Sequence, residues 1–163
     1  MVNKKEMILS LMKETISISD FYVLYEKSFG KLDICYELEA GLKAKDSEAI
    51  DLFLYLGALL HYEYKCISVL NRLIIEKWHE KHEDLARLLG DFKSETSVDF
   101  LFEAAQTNFD YLDYDDDYVF ADKCIRAIAK INTHESVIRL KQLSLSDNVK
   151  IRESANKHLD RIS

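Results

Sequence analysis

The chain has 163 residues, 48% of them hydrophobic and 11% aromatic, with no proline and four glycines. That composition excludes a disordered chain and a flexible linker, and it suffices for one well-buried domain or one short repeat array. The formal net charge of −7 disfavours nucleic acid as a direct partner, because phosphate binding needs clustered Lys and Arg, and it favours a basic partner.

In chain order, the apolar spacing predicts two N-terminal helices over 3–15 and 18–29, the second starting behind Ser19 or Asp20 and ending at Gly30. Paired helices follow at 31–44 and 47–60, 62–78 and 80–91, 95–107 and 116–131, and 134–144 and 148–161. Ile67, Leu70, Ile74 and Trp78 recur at helical spacing, as do Ala121, Cys124, Ile128 and Ile131. Asp46, Ser94, Thr133 and Asp147 stand where a side-chain oxygen can accept from the open backbone N–H groups of a first turn. The chain therefore reads as one all-α domain over 1–163, with 1–30 as a helical cap and 31–162 as helix pairs.

The run from Leu52 to Leu60 falls far short of the roughly 20 residues that span a bilayer. The apolar stretch from Met7 to Met12 is closed by Lys13 and Glu14 too soon for a signal peptide. Cys35, Cys66 and Cys124 are widely spaced, odd in number and set among apolar residues, the usage of buried thiols in a reducing compartment. A cytoplasmic location is expected.

Charge is unevenly placed. Residues 1–45 carry seven positive and seven negative side chains, 46–122 carry six against eighteen, and 123–163 carry nine against four. The middle of the chain is strongly acidic and its end basic.

An internal repeat organises the second half. The stretch 85–101 is echoed at 124–140, so that Arg87 falls on Arg126, Leu89 on Ile128, Phe92 on Ile131, Ser97 on Ser136, Val98 on Val137 and Leu101 on Leu140. A shorter copy places Ala155, Leu159 and Ile162 where Cys124, Ile128 and Ile131 stand. Helix pairs repeating at such a period are the mark of an α-solenoid, an architecture suited to binding macromolecules.

The unit from Ala127 to Leu140, followed by Asp147, Val149, Arg152 and Ala155, resembles the HEAT repeat. The likeness is good over 80–162, weaker over 31–79 and absent before that. It implies a right-handed α-solenoid of about four HEAT-like helix pairs behind an N-terminal cap. In size, acidic balance and the segment 109–126, the chain is also similar to the small bacterial HEAT-repeat immunity proteins of polymorphic toxin systems. That resemblance implies a non-enzymatic protein that binds and neutralises a cognate toxin, with no cofactor and no metal. A general HEAT-like scaffold and a HEAT-like lyase subunit are the alternatives. HEAT-like DNA alkylation repair enzymes would be basic where this chain is acidic.

The candidate partner surface is the run from Asp110 to Tyr118, with Tyr111, Asp113, Tyr114, Asp115, Asp116, Asp117 and Tyr118. Tyrosine supplies contact area at low entropy cost, and carboxylates steer a basic partner. The competing reading is a solvated loop with an Asp cap. Counted from Asp113, the sixth and twelfth positions are Tyr118 and Cys124, not the Gly and Glu of a calcium loop. One repeat earlier, Trp78, Glu80 and Asp84 occupy the equivalent turn, and stacking would align both with Asp46 and Glu48 along one acidic edge. His79 and His82 are three apart without a third ligand in view, so metal binding is not expected. Trp78 at helical spacing from Ile74 also fits packing. His61, Tyr62, Glu63 and Tyr64 form a second aromatic turn, read either as a connection or as part of the surface. No phosphate loop, nucleophile elbow or Cys-x-x-Cys pair is present. Arg87 and Arg126 are expected to pair with carboxylates of neighbouring repeats, and Lys150, Arg152, Lys157 and Arg161 to form a solvated outer face.

Overall fold

The computed structural model describes residues 3–114 and 118–162. Among them are ten α-helices and no strand: α1 (Lys4–Met12), α2 (Ile18–Phe29), α3 (Ile34–Ala44), α4 (Ser47–Leu59), α5 (Ile67–Ile74), α6 (His82–Phe92), α7 (Val98–Ala105), α8 (Val119–Ile131), α9 (His134–Leu143) and α10 (Val149–Ile162). Two 3-10 turns, Glu95–Ser97 and Asp110–Leu112, complete the secondary structure. No helix among the described residues is long and apolar enough to cross a membrane. Packing divides the chain into two compact units, Met1–Lys65 and Cys66–Ser163.

The helix starts follow from local chemistry. Asn3, Ser17, Asp33 and Asp46 each accept from a backbone N–H of the first turn of α1, α2, α3 and α4, satisfying donors that a helix leaves open. For α2 the cap is Ser17, earlier than the Ser19 or Asp20 that the pattern suggests. At α10 the cap is Asn148, whose Oδ1 accepts from Ile151 N at 3.1 Å, in place of Asp147. Lys45, Lys93 and Asn132 close α3, α6 and α8 in the left-handed region.

In the first unit, α1 packs on α2 and α3 on α4. The core is built from Ile8, Phe21, Tyr25, Ile34, Leu38, Ile50 and Leu56, all buried. Glu37 receives Lys4 Nζ at 2.6 Å and lies 3.5 Å from the Tyr25 hydroxyl. Burial of the Tyr25 phenol, reinforced by the Glu37 charge, pushes its pKa far up. Glu48 pairs with Lys5 at 2.8 Å. Tyr64 is buried edge-on to Tyr62, their centroids 5.1 Å apart, and a Cβ at Gly57 would overlap its hydroxyl. It is a core residue of its unit.

In the second unit, α8 packs against α6, α7, α9 and α10. It buries Phe120, Ala121, Cys124, Ile125, Ala127, Ile128, Ala129 and Ile131, which is why its sequence is apolar on more than one face. The 39-residue repeat has physical counterparts. Lys93 and Asn132 are equivalent left-handed helix ends. Ser94 and Thr133 behind them are equivalent caps, and Ser97 and Ser136 are both fully buried. Ion pairs join residues one repeat apart: Lys123 to Glu83 at 3.0 Å, Lys130 to Asp91, and Arg139 to Asp99 at 2.8 Å. Pairing at both ends of α6 and α8 in one register means that the two helices run side by side and parallel. Gly90 makes this approach possible, because a Cβ there would stand 3.2 Å from the Ala127 Cα.

Among the described residues, Arg87 and Arg126 make no cross-repeat ion pair of the kind expected of them. Each turns to its own helix, Arg87 to Asp84 at 4.0 Å and Arg126 to Asp122 at 3.1 Å, because Lys123 and Lys130 take the carboxylates facing them. The cysteines differ in burial. Cys124 is a fully buried thiol whose pKa burial raises well above normal, whereas Cys35 and Cys66 are only half-buried.

Candidate functional site

The helix α5 ends at Ile74, earlier than the predicted residue 78, and 75–81 forms an irregular connection to α6. Two histidines hold that connection. His79 Nε2 lies 2.7 Å from the Leu73 carbonyl, and Lys81 N donates to His79 Nδ1 at 3.0 Å. His82 Nε2 lies 2.6 Å from the Glu76 carbonyl, and its Nδ1 lies 2.7 Å from the Tyr111 hydroxyl. A carbonyl can only accept, so each imidazole carries a proton on Nε2; the Lys81 N–H makes His79 neutral, and the lowered pKa of His82 leaves its Nδ1 to accept from Tyr111. All four ring nitrogens are committed, which leaves none to ligate a metal.

The rings stack. His79 and His82 have centroids 4.2 Å apart and are 12° from parallel, and Phe109, Tyr111 and Phe120 surround His82 at 3.9, 5.5 and 5.9 Å. His82 is fully buried and His79 nearly so. Desolvation lowers the pKa of both, and for His82 the cost of a second positive charge beside His79 adds to it and brings it to about 4. Burial raises Tyr111 to about 12, and Glu83 and Glu80 add to the rise. Perturbed groups of this kind mark a candidate site, and here they form a polar bolt inside an aromatic cluster.

The bolt brings the connection 75–81 against the 3-10 turn Asp110–Leu112. It thereby gathers predicted surface residues that are about thirty positions apart in sequence. Trp78 is half-buried, donates Nε1–H to Glu76 at 2.8 Å and meets His79 edge-on. It therefore lies off the helix on which its spacing from Ile74 would place it. Glu80, Asp84, Asp113, Tyr114 and Tyr118 are exposed or half-exposed, Tyr114 most of all at 81%. Asp84 also approaches Lys81 at 3.9 Å. Tyr111 is half-buried with its hydroxyl spent on His82, so its ring edge is what it can offer a partner. Asp115, Asp116 and Asp117 lie outside the described residues. Asp46 and Glu48, in the other unit, are occupied as the α4 cap and the Lys5 partner.

Beside the turn lies a cleft of about 630 Å³ that sequence reasoning did not single out. It is walled by Phe109, Phe120 and Ile151, with Asp113 and Tyr118 at its side and Gln106, Thr107 and Asn108 along its edge. Its one sequence signal is the polar run Gln106, Thr107 and Asn108 behind α7, which breaks the apolar pattern. Among the described residues no three of His, Cys, Asp and Glu converge as a metal requires. Compared with known proteins, the chain matches no family model, no curated protein and no solved structure.

Proposed function

We propose that the chain is a non-enzymatic protein-binding module, a right-handed α-solenoid of HEAT-like helix pairs that serves as an immunity protein. It neutralises a cognate bacterial toxin with a basic substrate channel. The observation that supports this reading is the Tyr111 to His82 contact, which ties the connection carrying Trp78 and Glu80 to the turn carrying Tyr111. Carboxylates there speed encounter with a basic surface, and the tyrosine and tryptophan rings slow release by burying area. The acidic balance of 46–122 gives this surface a field of one sign. The ion pairs at repeat spacing support the solenoid, since they are the contacts by which one helix pair stacks on the next.

The test is titration of the toxin domain encoded beside this chain, at low and at physiological salt. The same titration is run on a variant in which Asp113, Asp115, Asp116 and Asp117 are all Asn. The reading expects tight, salt-sensitive binding by the native chain and weaker, flatter binding by the variant. Equal affinity and equal salt slope would remove the assignment.

A further inference from the structure

We propose that the cleft between α7, the turn 109–113 and the starts of α8 and α10 is a seat for one arginine side chain of the basic partner. This rests on the binding reading above and gives it a point of attachment.

Charge is the first argument. Asp113 is the one charged side chain among the described residues lining the cleft. Arg152, on α10, donates Nη1 to the Ser146 carbonyl at 2.8 Å and is held there.

The polar lining is the second. Gln106 spends its amide N–H on the Phe102 carbonyl at 3.0 Å, and Thr107 spends its hydroxyl proton on the Glu103 carbonyl at 2.8 Å. That leaves the Gln106 carbonyl oxygen, one Gln106 amide N–H and the Thr107 hydroxyl lone pairs, of which the two oxygens can accept from a cation. Both residues follow the last turn of α7, the negative end of that helix. The α10 terminus brings the opposite sign, but the Asn148 cap already occupies its Ile151 N–H.

Shape is the third. A guanidinium is planar, carries five donors and stacks on aromatic faces, so it can meet Asp113 and the Gln106 and Thr107 oxygens while lying against a ring. Tyr118 stands at the cleft in the left-handed region, φ 54°, and the residue is 43% exposed. Such a backbone is costly for a tyrosine and persists where surrounding structure enforces it. Phe109, Phe120 and Ile151, nearly fully buried, give the aliphatic stem an apolar floor. A lysine ammonium would use the charge but neither the plane nor the stack.

The test is an NMR titration of the intact protein with N-acetylarginine amide, N-acetyllysine amide and N-acetylnorleucine amide. Saturable shifts at Asn108 and Gln106 are expected for the arginine probe, with the other two several-fold weaker. Asp113→Asn should weaken the arginine probe roughly tenfold, the worth of one charge-assisted hydrogen bond. No saturable shift, equal response to lysine, or indifference to Asp113→Asn would overturn the seat. Absence of the arginine response alongside intact toxin binding removes the seat and leaves the immunity reading standing. An arginine response in a protein that ignores its toxin does the reverse.

Discussion

The Tyr111 hydroxyl donates to Nδ1 of His82 at 2.7 Å, and the same imidazole donates its Nε2–H to the Glu76 carbonyl at 2.6 Å. One neutral ring thus ties a 3-10 turn to an irregular connection more than thirty residues earlier. His82 is fully buried among Phe109, Phe120 and His79, so its Nδ1 has no ready access to water if Tyr111 is lost.

Tyr111→Phe leaves His82 Nδ1 a buried acceptor without a donor. A loss of about 1–2 kcal/mol in urea unfolding is expected, the usual cost of such an orphan. Unfolding at the native midpoint would mean that the bond contributes nothing.

Stability should depend on pH through His82. Its folded pKa, about 4, lies below the ordinary 6.5, so between these values the unfolded chain binds more protons. The contribution is therefore complete above about pH 6.5 and declines as pH falls toward 4. The decline approaches about 1.4 kcal/mol per pH unit, or about 2 kcal/mol between pH 7 and pH 5. His79, also lowered, acts in the same direction. Urea unfolding at both pH values, for the native chain and for His82→Phe, checks this. The native chain should lose more, and parallel losses would contradict it.

Gly90→Leu places a branched side chain where Ala127 already stands at contact. The parallel helices α6 and α8 must then part, loosening the Lys123 to Glu83 and Lys130 to Asp91 pairs. Overpacking of this kind costs about 1–3 kcal/mol. A variant as stable as the native chain would show that the approach of the two helices has slack.

Arg139 bonds Asp99 through Nε at 2.8 Å and lies over the Phe102 ring at 4.6 Å. Arg139→Lys keeps the charge but loses the planar stack. Because Asp99 is well exposed, the expected loss is about 0.5–1 kcal/mol, smaller than for Gly90→Leu. A double-mutant cycle with Asp99→Asn gives the pair energy, and a zero coupling would refute the cross-repeat tie.

Much of the helical layout was legible because it is local. The pattern around Ile18–Phe29 and Ser47–Leu59 puts both helices within a residue of their observed ends, since caps and 3.6-residue periodicity act within a few positions. The failures have local competitors too. Trp78 continues an apolar spacing from Ile74, yet α5 stops at Ile74 and the imidazoles of His79 and His82 bond the Leu73 and Glu76 carbonyls at and beyond its end. Nothing about a histidine in sequence announces that it will be fully buried.

The candidate site was legible in composition and illegible in arrangement. A run of tyrosine and aspartate suggests a surface, and Asp113, Tyr114 and Tyr118 are exposed. That Tyr111 is a donor to a buried ring, and that Gln106 and Thr107 border a cleft, depends on chains of contact that cross the fold.

By itself the sequence determined that the chain is helical, the limits of helices such as Ile18–Phe29 and Ser47–Leu59, and which positions repeat at a period of 39, because backbone hydrogen bonds, caps and apolar periodicity are set by near neighbours. Tertiary structure alone decided which carboxylate each cation meets, which histidines lose their water and where a cleft remains. Those outcomes depend on residues 25 to 40 positions apart sharing one space, as Ser97 and Asn71 do at 2.6 Å and Lys123 and Glu83 at 3.0 Å, and desolvation and Coulomb energies act through space without regard to chain order.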